Sequence, residues 1–335
     1  MAVSMSNRRM LVSCFLGTTI EWYDFLVYGF LAPLVFNRLF FPTQDPLSGT
    51  LSAYATFAVG FLARPLGGAI FGHYGDRIGR KAMLVYSLML MGAATAVIGF
   101  LPTYASIGIW APILLGTVRF VQGIGIGGEW AGAVLMAVEH SGGRRRGFHG
   151  SWPQMGVPAG LLLSTGVFAL FSTQLPEADF LAWGWRIPFL LSVVLIGVGL
   201  FVRLRILETP SFERLKESGR DASMPLVEVF REHPRNVVVG MGMRFAQNVL
   251  FYVYTVFALS YGQQTLGYSR STMLTGLAVA AALGFVSIPL WAHLSDRYGR
   301  RPLYFAGALF SLLFCAPFFC ESGDLVPTLS ATRCC

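Results

Sequence analysis

The chain has 335 residues, 54% of them hydrophobic and 13% charged, with a formal net charge of +8. Soluble domains carry about a quarter of their residues as charges, so this composition excludes an ordinary water-soluble globular protein. The basic residues fall in short clusters between apolar runs, without the interleaved aromatics of a nucleic-acid surface, which argues against nucleic-acid binding.

Apolar stretches of about 20 residues, long enough as helices to cross a hydrocarbon core of about 30 Å, recur along the chain. In chain order the predicted spans lie near residues 10–36, 52–72, 82–101, 110–138, 152–173, 186–203, 236–262, 271–293 and 302–320. All are expected to be helices, because lipid offers no partner for an open backbone. The first is read as a span and not as a cleaved leader, since its apolar run passes no small-residue cleavage site.

The connections alternate in basic content. One set holds Arg8 and Arg9, then Arg77, Arg80 and Lys81, then Arg144 to Arg146, then seven basic residues between 203 and 235, then Arg297, Arg300 and Arg301. The other set holds only Arg38, Arg186 and Arg270. Basic residues gather on the cytoplasmic side, which places the N-terminus inside. The longest connection, 204–235, is polar and holds three prolines. Its Met224–Glu232 stretch could lie as an amphipathic helix at the interface.

The hinge GHYGDRIGRKAM (72–83), between spans two and three, returns as AHLSDRYGRRPL (292–303) between spans eight and nine. A repeat displaced by six spans marks two parallel six-helix units, an arrangement in which substrate binds near the midplane between the halves. The expected organisation is an N-terminal six-helix bundle (1–203), a cytoplasmic linker (204–235), a partial C-terminal bundle (236–320) and an atypical tail (321–335).

Gly72 to Lys81 resembles the signature loop of the major facilitator superfamily, and Ser295 to Arg301 resembles its second-half copy. Arg119-Phe-Val-Gln-Gly123 is similar to the superfamily's fourth-helix motif. EWYDF (21–25), GGEWAGA (127–133), RRRGFHGSWPQMGVPAG (144–160), WGWRIPF (183–189) and ETPSF (208–212) resemble the metabolite:proton symporter branch, which includes carriers of shikimate, oxoglutarate, citrate and proline or betaine. The resemblance implies an all-α polytopic membrane protein of the major facilitator fold. It also implies twelve spans, so nine spans and a closing ESGDLVPTLSATRCC are read as an apparent C-terminal truncation that leaves about three helices in the second bundle.

Ionisable groups inside a bilayer are costly and mark function. Gly17, Glu21, Asp24 and Tyr28 are spaced by four, three and four, which stacks them on one face of the first helix. Glu21 and Asp24 lie about 16 to 21 Å from its cytoplasmic start, near the midplane. One of them is expected to carry the coupled proton, the alternative being a static ion pair. Arg64 is level with them and could serve as their counter-ion or as a fork for a substrate carboxylate.

In span four, Arg119 resembles the superfamily arginine implicated in proton coupling, and Glu129 a branch-specific acid; Gln122 joins the expected substrate contacts. The glycines of span four read as packing. Arg244, Asn248 and Tyr252 share one face of span seven and are also expected at the substrate. The resemblance assigns Asp76, Arg77, Arg80, Glu139, Arg146, Asp296, Arg297 and Arg300 to a cytoplasmic gate in which each loop acid meets the positive end of a helix from the opposite half. A bland alternative makes both loops topology determinants only. Trp22, Trp130 and Trp152 are read as packing residues.

The expected function is proton-coupled symport of a small organic anion such as shikimate or oxoglutarate across the cytoplasmic (inner) membrane, by a monomer in the lipid bilayer. The expected partners are the metabolite and the proton, with no cofactor, metal or nucleic acid. Alternatives are a zwitterionic substrate such as proline or betaine, and a transport-inactive carrier fragment or membrane sensor. An enzyme is disfavoured by the absence of a metal-ligand set, nucleophile elbow or phosphate loop.

Overall fold

The computed structural model describes residues 2–139, 145–204, 231–264 and 266–324, and they are helical nearly throughout. Among the described residues, nine long helices follow the predicted spans: α1 (Ala2–Leu31), α2 (Pro46–Ile78), α3 (Arg80–Phe100), α4 (Trp110–Glu139), α5 (Arg146–Gln174), α6 (Ile187–Leu204), α7 (Pro234–Tyr252), α8 (Arg270–Tyr298) and α9 (Arg300–Asp324). Seven helices among the described residues are long and apolar enough to cross a membrane. The two remaining ones are α7 and α9. The hydropathy of α7 is diluted by Arg235, Asn236, Arg244, Gln247 and Asn248. The expected interfacial helix at Met224–Glu232 lies largely outside the described residues, as does most of the closing tail.

The two repeats share local geometry. Below α1 the chain passes through a π turn, Ala32–Phe36, where Pro33 offers no N–H to the ladder. A second π turn, Val253–Phe257, follows α7, at the same place in the second repeat. Asp45 caps α2 by accepting from the Ser48 N–H at 3.1 Å, and hydrogen bonds from the Ser48 hydroxyl and then from its N–H hold the exposed carboxyl below the usual range. Ser269 caps α8 in the same way through Thr272 N–H. Each hinge turns on a glycine of positive φ, Gly79 at 118° and Gly299 at 92°, a backbone that a side chain would strain.

In the first six helices, α2 lies along α4, α1 along α5, and α3 against both α4 and α6; α8 crosses from the second repeat to pack on α5. The α2–α4 crossing brings backbones into contact. A Cβ on Gly123 would collide with the Gly60 carbonyl, and one on Gly127 with the Arg64 carbonyl. The core is aromatic, with Tyr23, Phe25, Tyr28, Phe36, Phe57 and Trp185 buried. Leu62, Phe100 and Leu283 are 74%, 70% and 67% exposed, an apolar exterior that suits lipid.

Candidate functional site

Helix α1 supplies the centre of the site. Asp24 is fully buried, and each of its carboxylate oxygens accepts a hydroxyl: Oδ2 from Thr95 of α3 at 3.0 Å, Oδ1 from Ser192 of α6. Gln122 of α4 donates to the same Thr95 oxygen at 2.7 Å and accepts from Arg119 with its carbonyl. One polar chain therefore links the acid on α1 to the arginine on α4.

Arg119 is fully buried among rings, its guanidinium carbon 4.0 Å from the centre of Tyr28 and 5.0 and 5.2 Å from those of Phe25 and Phe57. Its Nε and Nη2 have no hydrogen-bond partner among the described residues. Arg64 lies on the same aromatic group, 4.5 Å from Phe25 and 4.6 Å from Phe61. Such faces attract a desolvated cation, worth about 2 kcal/mol, and hold it where its N–H groups can still turn to an anion.

Glu21, one turn before Asp24, is 3% exposed, and its Oε2 has no partner among the described residues. Arg64, Arg203 and Arg244 all lie within electrostatic reach of it. Glu129 of α4 is paired with Arg203, the second contact running from Nη1 to Oε2 at 2.9 Å, and also accepts from Ser87 at 3.2 Å.

Helix α7 closes the site. Arg244 lies 4.3 Å over the Trp130 ring and donates to Gln247 at 3.0 Å. Tyr252 stacks on Trp22 and meets Phe25, Phe57 and Phe61 edge-on, with centroids 5.0 to 6.3 Å away. Asn248 and Tyr252 line a 550 Å³ cavity between α7 and the Tyr54–Phe61 stretch of α2, a cavity walled chiefly by aromatic and aliphatic groups.

One reading needs correction. Arg203 is not a residue of the cytoplasmic connection. It is 2% exposed and pairs with Glu129, because α6 runs one residue past it and turns it inward. Both ends of the Gln122 amide are engaged inside the polar chain. Trp22 and Trp130 pack between the two repeats. They present rings to Tyr252 and Arg244 of the second half. Arg64 meets rings in place of a carboxylate partner, within electrostatic reach of Glu21.

At the hinge end of the bundle, Asp296 accepts the first free N–H groups of α5, from Gly147 at 2.7 Å and Phe148 at 2.9 Å. A carboxylate at a helix N-terminus satisfies orphan donors and meets the positive end of the dipole. A Cβ on Gly147 would come within 2.8 Å of the Ala292 carbonyl, so only glycine admits α8 this closely. Arg297 lies 5.7 Å from the Tyr298 ring. Arg77, Arg146 and Arg300 stand at helix ends of the same side, and Glu139 closes α4 there. The side chains of Asp76 and Arg80 lie outside what the structure describes.

The sequence profile of the Major Facilitator Superfamily matches residues 10–331. The chain belongs to this family. It is 46% identical over 314 residues to the shikimate transporter of Escherichia coli K12, a match covering 93% of this chain and 72% of that protein. The inner membrane metabolite transport protein YhjE of the same organism is 44% identical, covering 88% of this chain and 68% of its own. The fold is similar to that of the proton:xylose symporter XylE, with a TM-score of 0.66 at 16% identity over 89% of this chain and 71% of XylE. This superfamily member is a transporter and not an enzyme, an all-α bundle.

Proposed function

We propose that the protein moves a small organic anion inward together with a proton, by alternating access in the bacterial inner membrane, with its N-terminus inside. The observation that carries this reading is the pair of acids on one face of α1. Asp24 is held in a polar chain to Arg119, and Glu21 is buried with an oxygen unpartnered among the described residues. Acids in a bilayer interior are kept for charge movement, and two of them one turn apart repel when both are ionised, so one proton is readily shared or exchanged.

The substrate is a carboxylate. Arg64 and Arg244 both lie within electrostatic reach of Glu21, and a substrate carboxylate arriving there would compete with Glu21 for them, which links binding to protonation. A quaternary ammonium is less well served, because the faces of Phe25, Phe57 and Phe61 are already occupied by guanidinium groups. Residues 1–203 and 236–320 act as the two rocking units, the 204–235 linker joining them, in a monomer.

The test is uptake of labelled shikimate, oxoglutarate, citrate, proline and betaine by cells that lack their own carriers for these compounds and express this chain. Accumulation of a carboxylate that a protonophore abolishes is the expected result. Accumulation indifferent to the protonophore refutes proton coupling, and accumulation of betaine or proline alone refutes the anion assignment.

A further inference from the structure

Arg203 has no place in the chemistry described so far, yet it is one of the most completely enclosed side chains of the protein. Three elements hold it. Its guanidinium donates to both oxygens of Glu129 on α4 and to the Leu84 carbonyl on α3. It also rests against the backbone of α1, where a Cβ on Gly17 would collide with Nη2 and come 2.8 Å from Glu129 Oε1. Glycine at 17 is what lets the pair sit between α1, α3, α4 and α6.

Glu21 stands one turn beyond Gly17 on that same face of α1. The charged and titratable groups facing it are Arg64 from α2, Arg203 from α6, Arg244 and Tyr252 from α7, and Asp24 on α1 itself. Among these cations, Arg203 is the one already shared with another acid.

We propose that Arg203 is a positioning residue whose guanidinium serves Glu129 and Glu21 by turns, so that the charge on Glu21 sets how tightly the inner ends of α1, α3, α4 and α6 are clamped. With a proton on Glu21, Arg203 stays wholly on Glu129 and the four helices are held around Gly17. When Glu21 releases that proton to the inner aqueous phase, its carboxylate becomes a second anion competing for the same cation. The Glu129 contact loosens and the inner ends part. The proton goes to water, the charge left behind is balanced by Arg203, and no covalent bond other than the O–H of Glu21 changes. The proposal rests on the reading of the α1 acids, Glu21 and Asp24, as a pair that shares the coupled proton.

Cys14, buried one turn before the clamp and within electrostatic reach of Arg203, reports on it. The experiment is alkylation of Cys14 by N-ethylmaleimide in the purified full chain, followed by peptide mass spectrometry at acidic and alkaline pH and normalised to a free-thiol standard. Wild type is expected to gain roughly five-fold or more in normalised rate at alkaline pH, the size of an ordinary coupling. Glu21→Gln, fixed as neutral, stays protected at both pH values. Arg203→Gln is fast at both, and Arg203→Lys, which keeps the charge but not the fork, lies between. A Glu21→Gln profile identical to wild type overturns the proposal, whether or not the Arg203 variants fold. Alkylation needs no transport, so a chain that moves no anion yet shows Glu21-dependent protection refutes the transport reading and leaves this one standing.

Discussion

Replacing Asp296 by asparagine removes the charge from the contact between α8 and the start of α5. Two backbone N–H groups, at 2.7 and 2.9 Å, now end on its carboxylate. A hydrogen bond to a charged group contributes about 1.5–3 kcal/mol and a neutral one about 1 kcal/mol. The contact is solvent-exposed, so the lower figure applies: about 3 kcal/mol for two charged bonds, against about 1 for the single oxygen that asparagine retains. The difference of about 2 kcal/mol corresponds to a shift of roughly 30-fold in the equilibrium between joined and parted halves. Spin labels at Tyr74 and Tyr298, both exposed on the hinge side, would read it by pulsed electron resonance in a background without other reactive cysteines. The variant should transfer a large share of the population to longer distances. Gly147→Ala should do the same, because its Cβ meets the Ala292 carbonyl and the Asp296 carboxylate. Distance distributions unchanged in both variants would show that the cap does not hold the halves together.

Asp24→Asn keeps the volume and most hydrogen-bonding capacity of the site but cannot ionise; counterflow exchange should persist while proton-driven accumulation falls to the protonophore-treated level. Gly123→Ala should lower thermal stability by about 1–3 kcal/mol, as expected for overpacking against the Gly60 carbonyl. Gly116→Ala on the same helix, with nothing within 4 Å of the new Cβ, should be neutral or stabilising by up to about 1 kcal/mol, and a fluorescence melt of the two variants makes the comparison. Arg64→Gln and Arg244→Gln should each raise KM for the anion about tenfold or more with a smaller change in maximal rate, reflecting a charge-assisted bond lost in binding.

The charges were legible in the sequence because each interrupts an apolar run: Glu21, Asp24, Arg64, Arg119 and Glu129 stand out in stretches where charge is expensive. The spacing of Glu21, Asp24 and Tyr28 placed them on one face without any tertiary information. What could not be read was who meets whom. Thr95 and Ser192 look like ordinary small helix residues, and only the crossing of α3 and α6 over α1 makes them donors to Asp24. Arg203 counts with the basic residues of the connection because hydropathy falls away after it, whereas the last turn of α6 points it into the bundle beside Glu129. Trp130 showed no sign of its role, since a ring becomes a platform for Arg244 only when the second repeat folds against the first.

The π turns at Ala32–Phe36 and Val253–Phe257 were also hidden, although Pro33 was a cue in the first. They lie at matching places in the two repeats, a few residues past Tyr28 and directly after Tyr252. The repeat visible in the loops thus extends into the helices that carry the site.

The central claim is that an anion and a proton cross together at the α1 acids. Its most direct test is purified protein in vesicles that enclose a pH indicator, with the labelled carboxylate added outside and no initial pH gradient. The account predicts that the lumen acidifies as the anion enters, and that Asp24→Asn abolishes the acidification while exchange of the anion continues. Anion entry with no change in luminal pH, or acidification that survives Asp24→Asn and Glu21→Gln together, would contradict it.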